Sequence, residues 1–538
     1  MILFSIVRIL FLFLFFVNKE KHDSTAPVHF FYVSSGHRDI SDSLEQILKD
    51  PGINTIVFRD SGIVVDKVIN IPRNKTIRFE PGACITGKGT LNGGIIQASY
   101  HQQLFGRDLK VNPQEKDSVF SVKWYGAKGD GISNDRESIR LTFDMTKRIG
   151  GGNVFLPKGT YVVSRRDKAP FSIIDVYSNT KVSGEGMDKT VVKLDPNDMK
   201  NFRRIFFIGS KSEITENVEV SDMTIDMENP FKTYPPPASF GHDAQSAAII
   251  CYSDSFDVRN VHIHDLVVQN VPGDVIIVST NSKNITIERI YQKNYLRQGI
   301  SIGGTKGVDS ITVRHIYDLP FTNGVVKYGN SIRTEPYAVV KNVSYTFSDV
   351  LDFSASGIDG LLIDSVVTRS GSVNTCHDVS NFLIRNNVLN SKLQIAPVGP
   401  GVVEKNELKK GILVTSVGKG GFRDMSGIVI RKNYIIDTSS AFTNVRVTQV
   451  NGVGVYDNTI KVNADAIVFS NAKSGKVMNN RIWVNNPSYY AVHVYSTIKD
   501  RYGEGPYEID GNIVYGANKG IKGHFVTSDI GLKNIVNK

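Results

Sequence analysis

Ile285-Thr-Ile-Glu-Arg-Ile-Tyr, with its neighbours Phe256-Asp-Val-Arg-Asn-Val-His-Ile and Ile311-Thr-Val-Arg-His-Ile-Tyr, decides how this chain folds. Apolar and polar residues alternate, a polar residue interrupts, and an apolar residue follows. Alternation with a period of two is the mark of a strand with one buried face. Further copies are Leu361-Leu-Ile-Asp-Ser-Val-Val, Phe382-Leu-Ile-Arg-Asn-Asn-Val and Ile428-Val-Ile-Arg-Lys-Asn-Tyr; Val453-Gly-Val-Tyr-Asp-Asn-Thr and Tyr507-Glu-Ile-Asp-Gly-Asn-Ile are weaker ones. Anchored on Val258, Ile287, Val313, Val340, Ile363, Ile384, Ile430, Val455, Val477 and Ile509, the copies recur every 21 to 32 residues. One gap of 46, between Ile384 and Ile430, reads as two steps of 23. A repeat of this length cannot bury its own core, so successive coils must stack as a solenoid. Leucine-rich repeats would need fixed leucine spacing, and a β-sandwich would need turns every 8–12 residues. The pattern predicts an all-β fold, a single-stranded parallel β-helix.

Composition sets the outer limits. The chain has 538 residues, 41% hydrophobic and 22% charged, which excludes a disordered chain. Its 63 Lys and Arg exceed its 53 Asp and Glu, for a net charge of +10. Such a balance favours a polyanionic partner. No basic block or motif points to nucleic acid, so none is expected as a partner. Cys84, Cys251 and Cys376 are too few and too scattered for a disulfide framework or a metal pair. Ile9 to Val17 is an unbroken apolar run, expected within a signal peptide or anchor over residues 1–22. Only this segment is expected to touch a membrane. Residues 29–110 read as a small β-rich N-terminal domain, Lys110 to Asp117 as a linker, and residues 119–538 as the β-helix.

The start of the solenoid carries one amphipathic helix, expected over residues 135–148. Asp135 stands at its N-cap position, Ile139, Phe143 and Thr146 share a face, and Gly150 to Gly152 end it. Around it, Tyr125-Gly-Ala-Lys-Gly-Asp-Gly, then Asn134-Asp135, then Val154-Phe-Leu-Pro-Lys-Gly-Thr-Tyr resemble the opening module of the pectate-lyase superfamily. That superfamily includes rhamnogalacturonases, mannuronan epimerases, polygalacturonases and phage tailspikes. The resemblance implies a right-handed β-helix whose first coil is capped by this short helix. It makes Asp130 and Asp135 turn and cap residues rather than a catalytic carboxylate pair. It does not fix the reaction, because lyases, hydrolases, epimerases and adhesins share the fold.

Equivalent residues of stacked coils form columns about 4.8 Å apart. Just before the strands Ala247-Ala-Ile-Ile, Val275-Ile-Ile-Val and Gly299-Ile-Ser-Ile stand His242, Asp243 and Gln245, then Asp274, then Arg297 and Gln298. The next coil supplies Arg333 and Glu335. Gly273-Asp274 and Arg297-Gln-Gly-Ile-Ser-Ile resemble a run of rhamnogalacturonase/epimerase-like members. Polygalacturonases have a paired Asp-Asp and a Gly-His-Gly there, which argues against their two-carboxylate hydrolysis. Related members often carry an acid where Arg333 stands. Asp274, Arg297, Asp243 and His242 are the catalytic candidates; Gln245, Gln298, Glu335 and Arg333 are the substrate-binding candidates. Removing the proton beside a uronate carboxylate needs a base and a cation that neutralises the carboxylate. Arg297 suits the second role and His242 the first. Hydrolysis would draw on Asp243, Asp274 and Glu335. The plain alternatives are a turn cap for Asp274 and a salt bridge between it and Arg297. No metal ligands and no cofactor are assigned; calcium is the cation left open. His262 and His264 alternate in a strand, one expected inward and one outward, and both read as structural. Asn386-Asn387 and Asn479-Asn480 read as stacking ladders at corners.

These readings converge on a secreted, periplasmic or cell-surface protein acting on an acidic, uronic-acid-containing polysaccharide, by β-elimination or hydrolysis. The rival is a polysaccharide-binding adhesin or a tailspike-like depolymerase of a virion. A monomer is expected, or a trimer for the tailspike reading.

Overall fold

The computed structural model describes residues 30–33, 39–114, 118–164, 172–195, 204–228, 246–322, 324–335, 339–369, 373–416, 427–437, 444–496, 506–516, 519–523 and 534–537. The N-terminal segment 1–22, the sites His242, Asp243 and Gln245, and Pro336 lie outside the described residues.

Each coil contributes one strand to a 14-stranded sheet and one bent ribbon to a 27-stranded sheet. All their pairings are parallel, as in Ile263↔Ile287↔Val313 and Ile277↔Ser301↔Arg333. Parallel strands joined by crossovers wind right-handed, and the chain is a right-handed parallel β-helix. The ribbons turn corners at left-handed residues. Asn260, Asp265 and Asn270 in one coil stand in register with Asn284, Arg289 and Asn294 in the next, all near φ +50° to +55°. Asn and Asp accept this conformation more readily than other side chains. Val, Ile and Leu side chains from successive coils fill one continuous core.

The register corrects the spacing read from the sequence. The true equivalents run Ile263, Ile287, Val313, Tyr345, Ile363, Ile384, Val403, Ile430, Val455, Val477 and Ile509. Val258 and Val340 each lie one corner earlier in their coils than the other anchors. The missing coil passes through Val403, splitting 46 into 19 and 27. Elsewhere coils shorten to 18 residues, from Ser344 to Leu362, or lengthen to 43, from Glu219 to His262.

Asn387 and Asn480 are confirmed as ladder residues. Asn387, Asn406, Asn433, Asn458, Asn480, Asn512 and Asn534 stack inside the corner, each amide donating to the carbonyl oxygen of the next at 2.8–3.0 Å.

Helix α1 is Ser41–Lys49 and helix α2 is Arg136–Ile149. The Asp135 side chain does not cap α2. Its buried carboxylate accepts from the N–H groups of Lys128 and Gly129 and so ties down the preceding loop. Asp130 accepts from Ile132 and Ser133 within its own turn. Both are structural. Helix α2 has two apolar faces. Ile139 and Phe143 join the solenoid core, whereas Met145 joins a second core with Phe120, Trp124 and Tyr125. That second core belongs to a five-stranded parallel sheet from Phe30 to Asn112. Lys110–Asn112 is a strand of this sheet, not a linker.

Candidate functional site

The outer face of the 14-stranded sheet carries a cavity of about 510 Å3. Its floor is the outward column Phe207, Ile250, Ile277 and Ser301, one residue per coil. Arg204, Asp274 and Arg297 stand at the edge where the strands begin; Lys211, Tyr252, Asp254 and Glu335 stand at the edge where they end.

The strand Asp274–Val278 begins at the corner, and Arg297-Gln298 occupies the same corner one coil on. The Gln298 N–H donates to Asp274 Oδ1 at 3.1 Å. Gly299 lets the next coil approach, since a Cβ there would stand 2.1 Å from the Ser331 carbonyl oxygen. The Arg297 guanidinium donates from Nη1 to Asp274 Oδ2 and from Nη2 to Glu335 Oε1, the latter at 2.6 Å. Gln298 Nε2 donates to the same Glu335 oxygen at 2.7 Å, and Arg333 Nε lies 3.9 Å from it. Gln298 Oε1 is buried and has no hydrogen-bond partner.

Sequence reasoning thus brought Asp274, Arg297, Gln298, Glu335 and Arg333 together, and the structure joins them. Their exposure differs from expectation. The Asp274 side chain is 0% exposed, Arg297 18% and Glu335 15%. Asp274 and Gln298 lie beneath the groove surface rather than on it. Burial pushes the Asp274 carboxyl up to about 8, outweighing the opposing pull of Arg297, with the Glu335 charge adding to the rise. Arg297 is held by two carboxylates, so the salt-bridge alternative describes its contacts; two further cations, Arg204 and Lys211, line the cavity.

Those cations escaped the sequence reading. Arg204 is in register with Ala247 and Asp274, two coils away and about 10 Å along the axis. The signal was available, because Arg204-Ile-Phe-Phe-Ile is the same corner-then-strand pattern one coil before the first strand considered. Lys211 is exposed at the cavity's rim. Tyr252 donates its hydroxyl to Asp254, and burial first, then Asp254, raises that phenol to about 12.

Among the described residues no group of three or more His, Cys, Asp and Glu could hold a metal ion, so the calcium expectation finds no ligand set there. His262 and His264 lie on another face and correct a reading. Residues two apart on a strand share a side. Their rings sit 4.1 Å apart, with His262 bonded to Glu288 at 3.0 Å and His264 to Glu219 at 3.1 Å and Asp265 at 2.6 Å.

Residues 119–345 match the family model described as rhamnogalacturonase A/epimerase, pectate lyase-like. Alginate lyase 7 of Azotobacter vinelandii is 37% identical over 107 residues, 20% of this chain and 12% of that protein. Mannuronan C5-epimerase AlgE1 of the same organism is 28% identical over 225 residues, 41% and 15% of the two chains. Plasmin and fibronectin-binding protein A of Streptococcus pneumoniae is 27% identical over 327 residues, 56% and 40%. The match therefore spans less than half the length of each of these relatives. Among solved structures, the Streptococcus pneumoniae surface adhesin PfbA aligns over 76% of this chain and 91% of its own, at 16% identity and a TM-score of 0.46.

Proposed function

We propose that this member of the pectate-lyase superfamily, identified as such through residues 119–345, acts on an acidic, uronic-acid-containing polysaccharide lying along the groove, by removing the proton beside the sugar carboxylate. The observation that carries this reading is the meeting, in one cavity, of Arg204 and Lys211 with a phenol bound to a carboxylate. Arg204 and Lys211 neutralise the substrate carboxylate and make the neighbouring C–H more acidic. Tyr252 takes the proton from the sugar carbon as its own hydroxyl proton passes to Asp254, and the electron pair left on the sugar is delocalised into the carboxylate that the cations neutralise. Glu335 and Arg333 hold the sugar hydroxyls, and Gln298 holds Glu335 from beneath. Arg297 fixes Glu335, and Asp274 acts through Arg297, since a fully buried carboxyl does not touch substrate. His242, Asp243 and Gln245, outside the described residues, remain proposed site residues on the sequence alone.

Elimination and C5-epimerisation share this first step, and relatives named for each support it. Hydrolysis has weaker support, because it needs two reachable carboxylates flanking the bond and Asp274 is buried. The adhesin reading is favoured by one observation: Asp274, Arg297 and Glu335 satisfy one another. A relative named for binding plasmin and fibronectin points the same way. An extracellular location and a monomer complete the proposal.

Incubation with a panel of uronate polymers separates these readings. Unsaturated ends, followed by ultraviolet absorbance, are expected with at least one polymer, or altered C5 configuration by NMR. Binding without any chemical change to the polymer would establish the adhesin reading instead.

A further inference from the structure

The far end of the same sheet carries a second surface that the groove does not use. The outward column that passes through Ile277, Ser301 and Arg333 continues through Ser354, Thr375, Gln394 and Leu413 to Arg446, Val468, His493 and Lys522. His493 is therefore seven coils beyond Arg333, about 34 Å along the axis. Around it Tyr490, His493 and Tyr495 form an aromatic strip, with ring centroids 4.8 and 4.9 Å apart and planes inclined by 45° and 48°.

The strip is fixed in place. Asp465 accepts from the Tyr490 N–H at 2.8 Å and bonds His493 Nδ1 at 2.7 Å, and Arg446 donates to the Tyr495 hydroxyl at 3.0 Å. Lys519 and Lys522, both exposed, bring their ammonium groups to 5.5 and 5.2 Å from the Tyr490 ring centre. Among the described residues, the cations Arg446, Lys519 and Lys522 thus border the strip, and the Asp465 carboxylate there is bonded to His493. The surface is aromatic and positive together.

A sugar ring has a face of C–H groups and an edge of oxygens. Aromatic rings cover the first, and lysine or arginine pairs with a carboxylate on the second. A plain polyanion would need only the cations, and a neutral sugar only the rings. We propose that the patch of Tyr490, His493, Tyr495, Lys519 and Lys522 is a distal, non-catalytic subsite for the same acidic polysaccharide chain that lies in the groove. This rests on the proposed function of the groove. Ser354, Thr375 and Gln394 between the two sites give a polar track with which sugar hydroxyls can bond. A chain long enough to reach both sites is held at two points, and the second contact raises its affinity through effective concentration. A short oligomer engages one site only.

The test compares the full chain with Tyr490→Ala and with Lys519→Gln/Lys522→Gln, the second of which alters only exposed side chains. Binding of a uronate polymer and of a uronate tetrasaccharide is measured by calorimetry, alongside Lys211→Ala in the groove. The patch variants should lose about tenfold or more in affinity for the polymer, the order expected when a stacking ring or two cations leave a binding surface. Their turnover of the tetrasaccharide, or its binding at the groove, should stay at the parent level. Unchanged polymer affinity in the patch variants, with loss in the groove variant, overturns the subsite while leaving the groove reading intact. A parent chain that binds no uronate polymer overturns both. Tighter binding of single-stranded DNA than of uronate polymer, lost in the patch variants, overturns the assigned ligand.

Discussion

Arg297 ties two carboxylates into one cluster, and its neighbours inherit their roles from that. Removing it leaves Asp274 buried and unpaired next to the Glu335 charge. Arg297→Ala should lower the melting temperature as well as activity, with a stability loss of roughly 1–3 kcal/mol, because burial holds Asp274 protonated and the loss is that of a buried hydrogen-bond partner. Arg297→Lys should recover part of the stability but not the two-pronged geometry. Asp274 makes a separate prediction about pH. Its folded carboxyl is raised from 3.8 to about 8, mainly by burial. The folded state therefore holds a proton that the unfolded state releases. The stability this contributes is complete below about 3.8 and is lost as pH rises towards 8. Melting curves across that window should show a shallower decline for Asp274→Asn than for the parent; parallel declines would remove the assignment. The column of Asp274 and Gln298 was legible from the sequence, because the coil offset between them is local. The Glu335 contact was not, since it depends on how side chains from two coils meet above the corner. Arg204 was legible in principle, by carrying the same column further back.

Helix α2 and the Asn ladder show what elements add. The periodicity of residues 135–148 identified the helix to within one residue at each end, and Ile139 and Phe143 as its solenoid face. It gave no sign that Met145 serves another core, because the N-terminal sheet that covers it is distant in sequence until the fold is known. Ile139→Asp should destabilise the solenoid by about 2–5 kcal/mol, as for other buried apolar losses. Met145→Asp should instead loosen the N-terminal sheet while the solenoid's unfolding transition holds. Coincident losses in both variants would mean the two cores unfold as one. In the ladder, Asn458 accepts from the backbone and side-chain amides of Asn433 and donates to Asn480 and to the Ile430 carbonyl. Asn458→Ala orphans buried donors worth roughly 1–3 kcal/mol each, so a loss of about 2–4 kcal/mol in chemical denaturation is expected. The left-handed residue at each corner is the one before the ladder residue, as in Asn386, Lys405, Lys432, Asp457, Asn479 and Gly511, so Asn was readable there because its side chain offers both a donor and an acceptor.

At the scale of the whole molecule, the solenoid aligns its chemistry along one axis. A residue's place in its coil fixes its column, and so the sequence period carried the fold even where single anchors slipped. Val258 and Val340 slipped because every coil has several apolar corners and only pairing tells them apart. Function was less legible. The same coil supports catalysis or binding, and the cavity residues Arg204 and Lys211 come from coils longer than the period searched. The proposed function requires an acidic sugar to lie in the groove over Ile277 and Ser301. A crystal structure with a bound oligouronate shows whether it does. Sugar density is expected over that sheet, with a carboxylate within hydrogen-bond reach of Arg204 or Lys211. Sugar bound to another face, with the groove empty at saturation, would contradict it.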